Sequence, residues 1–419
     1  MAEPAPDEEV EAIGRLGVAL LDAGYAVTDV SRIAKAVARS NSAEFTVGAL
    51  PTGVFVDDGD RTRVLASTGT SFTFEQVGIV GKLAAEAERG MPWRELQDGL
   101  DRLYTMHPRY PFWLSLFGSG LISGGIAVVL GNPWWAVGLD FLLGVLVGAV
   151  LTVAGRYPRI AAILPFFLAL LIALLVGLTA VVFGIAEIPF FAIAAPLVIL
   201  IPGAAVTNAL IEVSAGDVVS GGGRLVAGLT IWVLLAAGSV AGVSILGGRL
   251  EETAVMMGDG SGLAAEFVDP IFGWPAVALL AIGVGLFLSA TIPVTLVITA
   301  VLVLAYAGSV FLTPVLGAGF AAGLTAAVLL AGLRLVERGW PSLPAIVTFR
   351  PVFWLLVPGS LGLIAVSGLA SNSAGSEDLL FTTASTVLGL VIGVQVGAVV
   401  SEAFRSGPGH NSAPAAQQA

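Results

Sequence analysis

The sequence has no cysteine, two histidines and two lysines in 419 residues, and only 12% of its residues are charged. Without cysteine there are no disulfides and no thiol chemistry, and redox compartment leaves no trace. His107 and His410 cannot make a histidine-rich metal site, and nothing in the sequence asks for a metal or another cofactor. Lys35 and Lys82 are the only lysines on a chain of net charge −11, which excludes nucleic acid as a partner because phosphate binding needs a basic surface. Enzyme signatures are missing too: there is no phosphate-binding G-x-x-x-x-G-K-[ST], no G-x-S-x-G and no H-E-x-x-H. The acidic stretch 1–11, followed by an apolar run over 16–21 that Asp22 stops, does not read as a cleavable signal, and the N-terminus is expected to stay in the cytoplasm.

What the chain has in excess is apolar sequence, 56% of residues with a mean hydropathy of +0.93. The charge is unevenly spread: 28 of the 49 Asp, Glu, Lys and Arg residues fall before position 111. From 112 onward come apolar runs near 20 residues, the length that about 30 Å of hydrocarbon requires of a helix. Spans are expected at 112–131, 134–154, 161–184, 188–211, 225–246, 271–292, 294–313, 315–335, 345–370 and 379–402. The expected fold is a polytopic α-helical membrane protein with about ten transmembrane helices in two inverted five-helix repeats, 111–246 and 271–405. An extracytoplasmic loop, 247–270, separates them, and a disordered tail, 406–419, follows. With both termini inside, Arg156, Arg159, Arg224, Arg334, Arg338, Arg350 and Arg405 lie on the cytoplasmic side and only Arg249 outside, as short-loop charge bias requires.

Residues 1–110 read as a small cytoplasmic α+β domain. Helical spacing over 8–22 and 27–39 is broken at Gly24, with Thr28 and Asp29 available to start the second helix. Three Val-, Phe- and Thr-rich segments, 44–50, 53–57 and 61–66, are separated by turn residues and predict a meander. Helical spacing returns over 75–89 and 92–106, with Pro92 in a first-turn position.

Two interruptions carry the functional reading. Ile201-Pro202-Gly203 and Val357-Pro358-Gly359 lie deep in the fourth and ninth runs, at corresponding places of the two halves. Proline removes a backbone donor, so groups freed there bond neighbours, water or substrate; a plain kink is the competing reading. After the first break Asn208 and Glu212 share a helix face, followed by Asp217, Ser220 and Arg224. Such a set offers donors to a carboxylate and acceptors to an ammonium, although a polar cytoplasmic loop would look similar. Asp140, six residues into the second span, is a candidate proton carrier unless the outer interface solvates it. Glu187, Arg350 and Glu402 read as interfacial, Trp134 and Trp135 as an aromatic belt. The spacings Gly118, Gly120, Gly124 and Gly144, Gly148 suit close helix packing.

The run Ile201-Pro202-Gly203 with Asn208, Gly216-Asp217, Ser220-Gly221 and Arg224 resembles the signature of the threonine/serine exporter family. So do residues 20–24 (Leu-Leu-Asp-Ala-Gly) and 50–56 (Leu-Pro-Thr-Gly-Val-Phe-Val). The resemblance implies export of threonine and serine, coupled to protons, across a bacterial cytoplasmic membrane. In that reading Pro202, Gly203, Asn208, Asp217, Ser220, Arg224, Pro358 and Gly359 shape or bind the substrate site, and Asp140 or Glu212 carries the proton. The expected partners are the amino acid, protons and the lipid bilayer, with a homo-oligomer left open. Glu212 stands where the family pattern has Asp. Some two-chain relatives look like dicarboxylate exporters, and a membrane-bound hydrolase or a non-transporting receptor are further alternatives.

Overall fold

The computed structural model describes residues 6–41, 45–69, 71–155, 157, 160, 162–185, 191–250, 270–356 and 376–403. Pro358 and Gly359, the greater part of the 247–270 connection, the tail 406–419, Arg156, Arg159, Glu187 and Arg405 lie outside the described residues.

The chain opens with α1 (Pro6–Asp22) and α2 (Val27–Ser40), then β1 (Thr46–Leu50), β2 (Gly53–Asp57) and β3 (Thr62–Ala66), then α3 (Phe74–Ala87) and α4 (Trp93–Thr105). The strands form an antiparallel meander in the order β1-β2-β3 with Leu50 opposite Gly53, so Pro51 and Thr52 are the two turn residues. Alternation along β2 buries Val54 and Val56 and leaves Phe55 outside. The buried face packs on α1 at two glycines: a Cβ on Gly17 would come within 2.9 Å of Val54, and one on Gly14 would collide with Leu65. Helix α3 starts at a capping box, Thr73 and Gln76 each bonding the other's backbone N–H.

The second helix begins one residue earlier than Thr28, and not by a side-chain cap. Its N-cap is Ala26, which makes no side-chain cap bond. The α1–α2 reversal is instead a Schellman closure, with Tyr25 N–H donating to the Leu20 carbonyl and Gly24 N–H to Leu21. Gly24 takes φ +87°, which the closure demands and which a side chain resists.

The apolar part comprises α5 (Phe112–Val129), α6 (Trp134–Ala154), α7 (Leu164–Phe183), α8 (Phe191–Leu197), α9 (Gly203–Ser214), α10 (Val218–Leu250), α11 (Gly273–Phe287), α12 (Ile292–Gly339), α13 (Ala345–Leu356) and α14 (Ser376–Ala403). Among the described residues six helices are long and apolar enough to cross a membrane: α5, α6, α7, α10, α12 and α14. A seventh arises if 191–200 and 203–214, bent by 60° at the break, count as one span. Helix α11, at 15 residues, is apolar but shorter.

Helix α12 runs 48 residues, about 72 Å at 1.5 Å each and more than twice a hydrocarbon core. Its backbone leaves helical geometry at Gly317 (φ 75°, ψ 160°), so two helices meet there. The joint thus falls at Gly317 rather than between 313 and 315, because glycine, not Pro314, supplies the left-handed backbone. The preceding joint, expected at 292–294, is the turn 288–291, where Ser289 has φ 51° and Pro293 starts α12.

Small residues set the helix contacts. Gly118 and Gly125 of α5 lie against Gly283 and Ala276 of α11, and Gly144 and Gly148 of α6 against Ser123 and Ser119 of α5. Helix α7 packs on α10 through Gly238 and Gly242, and the second part of α12 on α14 through Gly319, Gly323, Gly389 and Gly393. These close approaches are the use to which the expected glycine spacings are put.

Candidate functional site

The N-terminal unit sits on one end of this bundle. At α3, Phe74 N–H donates to the Leu288 carbonyl at 2.8 Å and Glu75 N–H to Ser289 at 3.3 Å, so the free amides of one helix start meet the carbonyls of the turn that follows α11. Gly78 and Gly81 of α3 let the backbone of Pro341 and Ser342 approach, where a Cβ on Gly78 would meet the Ser342 carbonyl oxygen at 2.7 Å. At α2, Arg334 of α12 donates to Asp29 at 2.8 Å, a pair 305 positions apart in sequence.

The polar residues that follow the first break gather at this same end. Pro202 leaves the helix with ψ 52°, and Gly203 restarts it against the ring of Phe353, which a Cβ there would meet at 2.8 Å. Trp354 Nε1 donates at 3.4 Å to the Ile201 carbonyl, which also accepts the Gly203 N–H at 2.8 Å. Thus the first break rests on α13, the helix just before Pro358-Gly359. One and two turns further along α9, Asn208 and Glu212 are buried, at 1% and 0% exposure. Arg224, 17% exposed on α10, brings Nε within 3.1 Å of Glu212 Oε1. The two helices can approach because Gly221 faces Ala209 and Val213.

Both side chains are engaged from outside the bundle. Asn208 Nδ2 donates to the Gly24 carbonyl at 2.8 Å, and Glu212 Oε1 accepts the Val27 N–H at 2.8 Å. Asn208 Oδ1 and Glu212 Oε2 are buried without a protein partner. Ser220 is buried close by in sequence, and Asp217 is half-buried at the start of α10, its N–H donating to the Glu212 carbonyl at 2.9 Å after Gly216 turns the chain at φ +91°.

Asp140 does not join this group. It is fully buried near the start of α6 and accepts from Asn132 Nδ2 at 2.9 Å, leaving Oδ1 without a protein partner. Trp134, nearly two turns before it, meets Phe272 edge to face at the start of α11, the end of that helix away from Leu288. Asp140 therefore stands at the opposite end of the bundle from Glu212.

A cavity of about 520 Å³ opens between the N-terminal unit and the bundle, bounded by Tyr25, Asp29 and Arg32 on one side and Ser214, Arg334 and Arg338 on the other. Burial pushes the Asp29 carboxyl upward, but Arg334 and then Arg32 outweigh it and hold the group below the usual carboxylate range. The Tyr25 phenol is raised well above its ordinary value, by burial first and by the Glu337 carboxylate next. Asp29, Arg334 and Asn132 were not legible as site residues. Their only sequence signal was a charged or amide residue adjoining an apolar run.

Long apolar helices, one of them broken at Pro202-Gly203 and followed by a buried carboxylate and carboxamide with a half-buried guanidinium, define a multi-pass membrane protein with a polar site at one end. A family model described as "Putative threonine/serine exporter" matches residues 11–246, from the first helix through α10, and the chain belongs to that family. No curated protein and no solved structure matches it.

Proposed function

We propose that the chain is a secondary active exporter of small hydroxy amino acids, threonine and serine, driven by protons and working by alternating access in a bacterial cytoplasmic membrane. The observation that carries this reading is the buried Asn208 and Glu212 on a broken span with the half-buried Arg224 beside them, in a chain of the exporter family. An α-amino acid presents a carboxylate and an ammonium a few ångströms apart. Asn208 N–H and Arg224 suit the first, Glu212 the second, with Asp217 and Ser220 completing the site.

Ten spans in two inverted halves fit the helix contacts. The first half pairs α5 with α6 and α7 with α10; the second pairs α11 with the first part of α12, where Gly285 faces Thr295, and the second part of α12 with α14. In each half, then, the first span packs on the second and the third on the fifth. Pro202-Gly203 and Pro358-Gly359 are the equivalent breaks that shape the path between the halves. The N-terminal unit and both termini face the cytoplasm in this arrangement. Asp140 then receives a proton at the outer end and Glu212 releases it at the inner end.

The test is efflux of labelled threonine from proteoliposomes with and without an imposed pH gradient. Gradient-accelerated efflux that disappears in Asp217→Asn, with the variant still inserted, is the expected result. Efflux of succinate but not threonine, or none from folded protein, would overturn the reading.

A further inference from the structure

The α1–α2 turn leaves two backbone groups pointing away from its own helices. The Schellman closure uses the Leu20 and Leu21 carbonyls and frees that of Gly24. At α2, whose N-cap Ala26 offers no side-chain acceptor, the Val27 N–H is one of the unsatisfied donors of a helix start. Both find partners in the bundle, Gly24 O on Asn208 and Val27 N–H on Glu212, 184 and 185 positions away. Glu212 thus serves as the anionic cap that α2 lacks in its own sequence.

Those two partners are the groups given to a substrate above. The turn presents them with an acceptor oxygen and an N–H donor, the same pair of functions as an amino acid's carboxylate and ammonium. It satisfies each side chain only by half, since Asn208 Oδ1 and Glu212 Oε2 stay buried without a protein partner. An ammonium, with three N–H donors, can serve acceptors that a single peptide N–H cannot. The turn is held from the side by the Asp29–Arg334 pair, two residues beyond Val27 in the first turn of α2 and on the wall of the 520 Å³ cavity.

We propose that the α1–α2 turn is a tethered plug that occupies the substrate positions on Asn208 and Glu212, and that the Asp29–Arg334 ion pair is the latch that keeps it there. The proposal rests on the export reading for the identity of the ligand. In this closed arrangement substrate cannot reach the broken span from the side of the N-terminal unit. Opening requires the latch to part and the turn to withdraw, and an α-amino acid entering through the cavity competes with it.

Because the chain has no cysteine, Val27→Cys introduces a single thiol, buried at a position of 1% exposure, and keeps the backbone N–H that Glu212 accepts. The rate of maleimide labelling in full-length protein in liposomes reports how often the turn withdraws. Slow labelling is expected in the single variant, and labelling at least tenfold faster when Asp29→Asn or Arg334→Gln is added. Saturating threonine should accelerate labelling severalfold in the otherwise intact chain, whereas 1,2-propanediol, which lacks both charged groups, should not. A labelling rate indifferent to both latch variants overturns the plug, and a rate indifferent to threonine overturns its occupancy of the substrate positions. Labelling needs no transport: latch-dependent labelling without threonine efflux would remove the export reading and leave the plug standing.

Discussion

Glu212 and Asp140 are both buried carboxylates, yet their surroundings assign them different work. Glu212 has a guanidinium and a helix amide beside it, whereas Asp140 has one amide from Asn132 and, among the described residues, no ion-pair partner. In the proton-coupled reading, Asp140→Asn keeps the shape of its pair with Asn132 and loses the titrating group. Downhill threonine efflux should survive in that variant, while its acceleration by a pH gradient should fall at least tenfold. Glu212→Gln should lose efflux with or without the gradient, since it removes a substrate acceptor as well. The two are separated by measuring each variant with and without the gradient. Asp29 makes a third case. Its carboxyl titrates below the unfolded value near 4, so its stabilising contribution is full above that value and is lost as pH falls through the lower, folded one. Docking of the N-terminal unit through Asp29 should therefore be constant from pH 8 to pH 5 and weaken only in stronger acid. Protease sensitivity of the α4–α5 connection, 106–111, compared across that range between the intact chain and Asp29→Asn, checks it, and a difference that disappears by pH 6 would contradict it.

Among elements, α3 and the break at Pro202-Gly203 both depend on glycine. Gly81 has the Pro341 carbonyl oxygen closer than any real Cβ contact allows, and that oxygen is backbone, which cannot rotate away. Gly81→Ala should cost about 1–3 kcal/mol of docking stability, read as a lowered thermal midpoint of the full-length protein. Gly138→Ala, on α6 with open space around it, is the matched control and should leave the midpoint unchanged. Much of this level was legible in the sequence. The expected span 134–154 coincides with α6 and the meander with β1 to β3, because a 20-residue apolar run or a turn-bounded alternation is a local property. Joints were less legible: the boundary expected between 313 and 315 falls at Pro314, but that proline lies within the first part of α12 and the reversal needs the positive φ of Gly317.

For the whole molecule, the contacts that join its two parts could not be read from sequence at all. Asn208 and Glu212 announced a polar helix face, but nothing local says that the face meets a peptide turn 184 residues upstream, or that Arg334, read as one more inside arginine, pairs with Asp29. The family-like stretch at 20–24 gains a physical meaning from this: Asp22 fastens α1 by accepting from Ser67 and Thr68, and Gly24 turns its carbonyl to Asn208. The account's central claim is that threonine leaves through this bundle in exchange for protons. Proteoliposomes loaded with threonine and a trapped pH indicator test it most directly. An outward threonine gradient should change the lumenal pH, and the change should vanish in Asp140→Asn and Glu212→Gln. Threonine leaving with no proton movement, or no threonine leaving from folded protein, would contradict it.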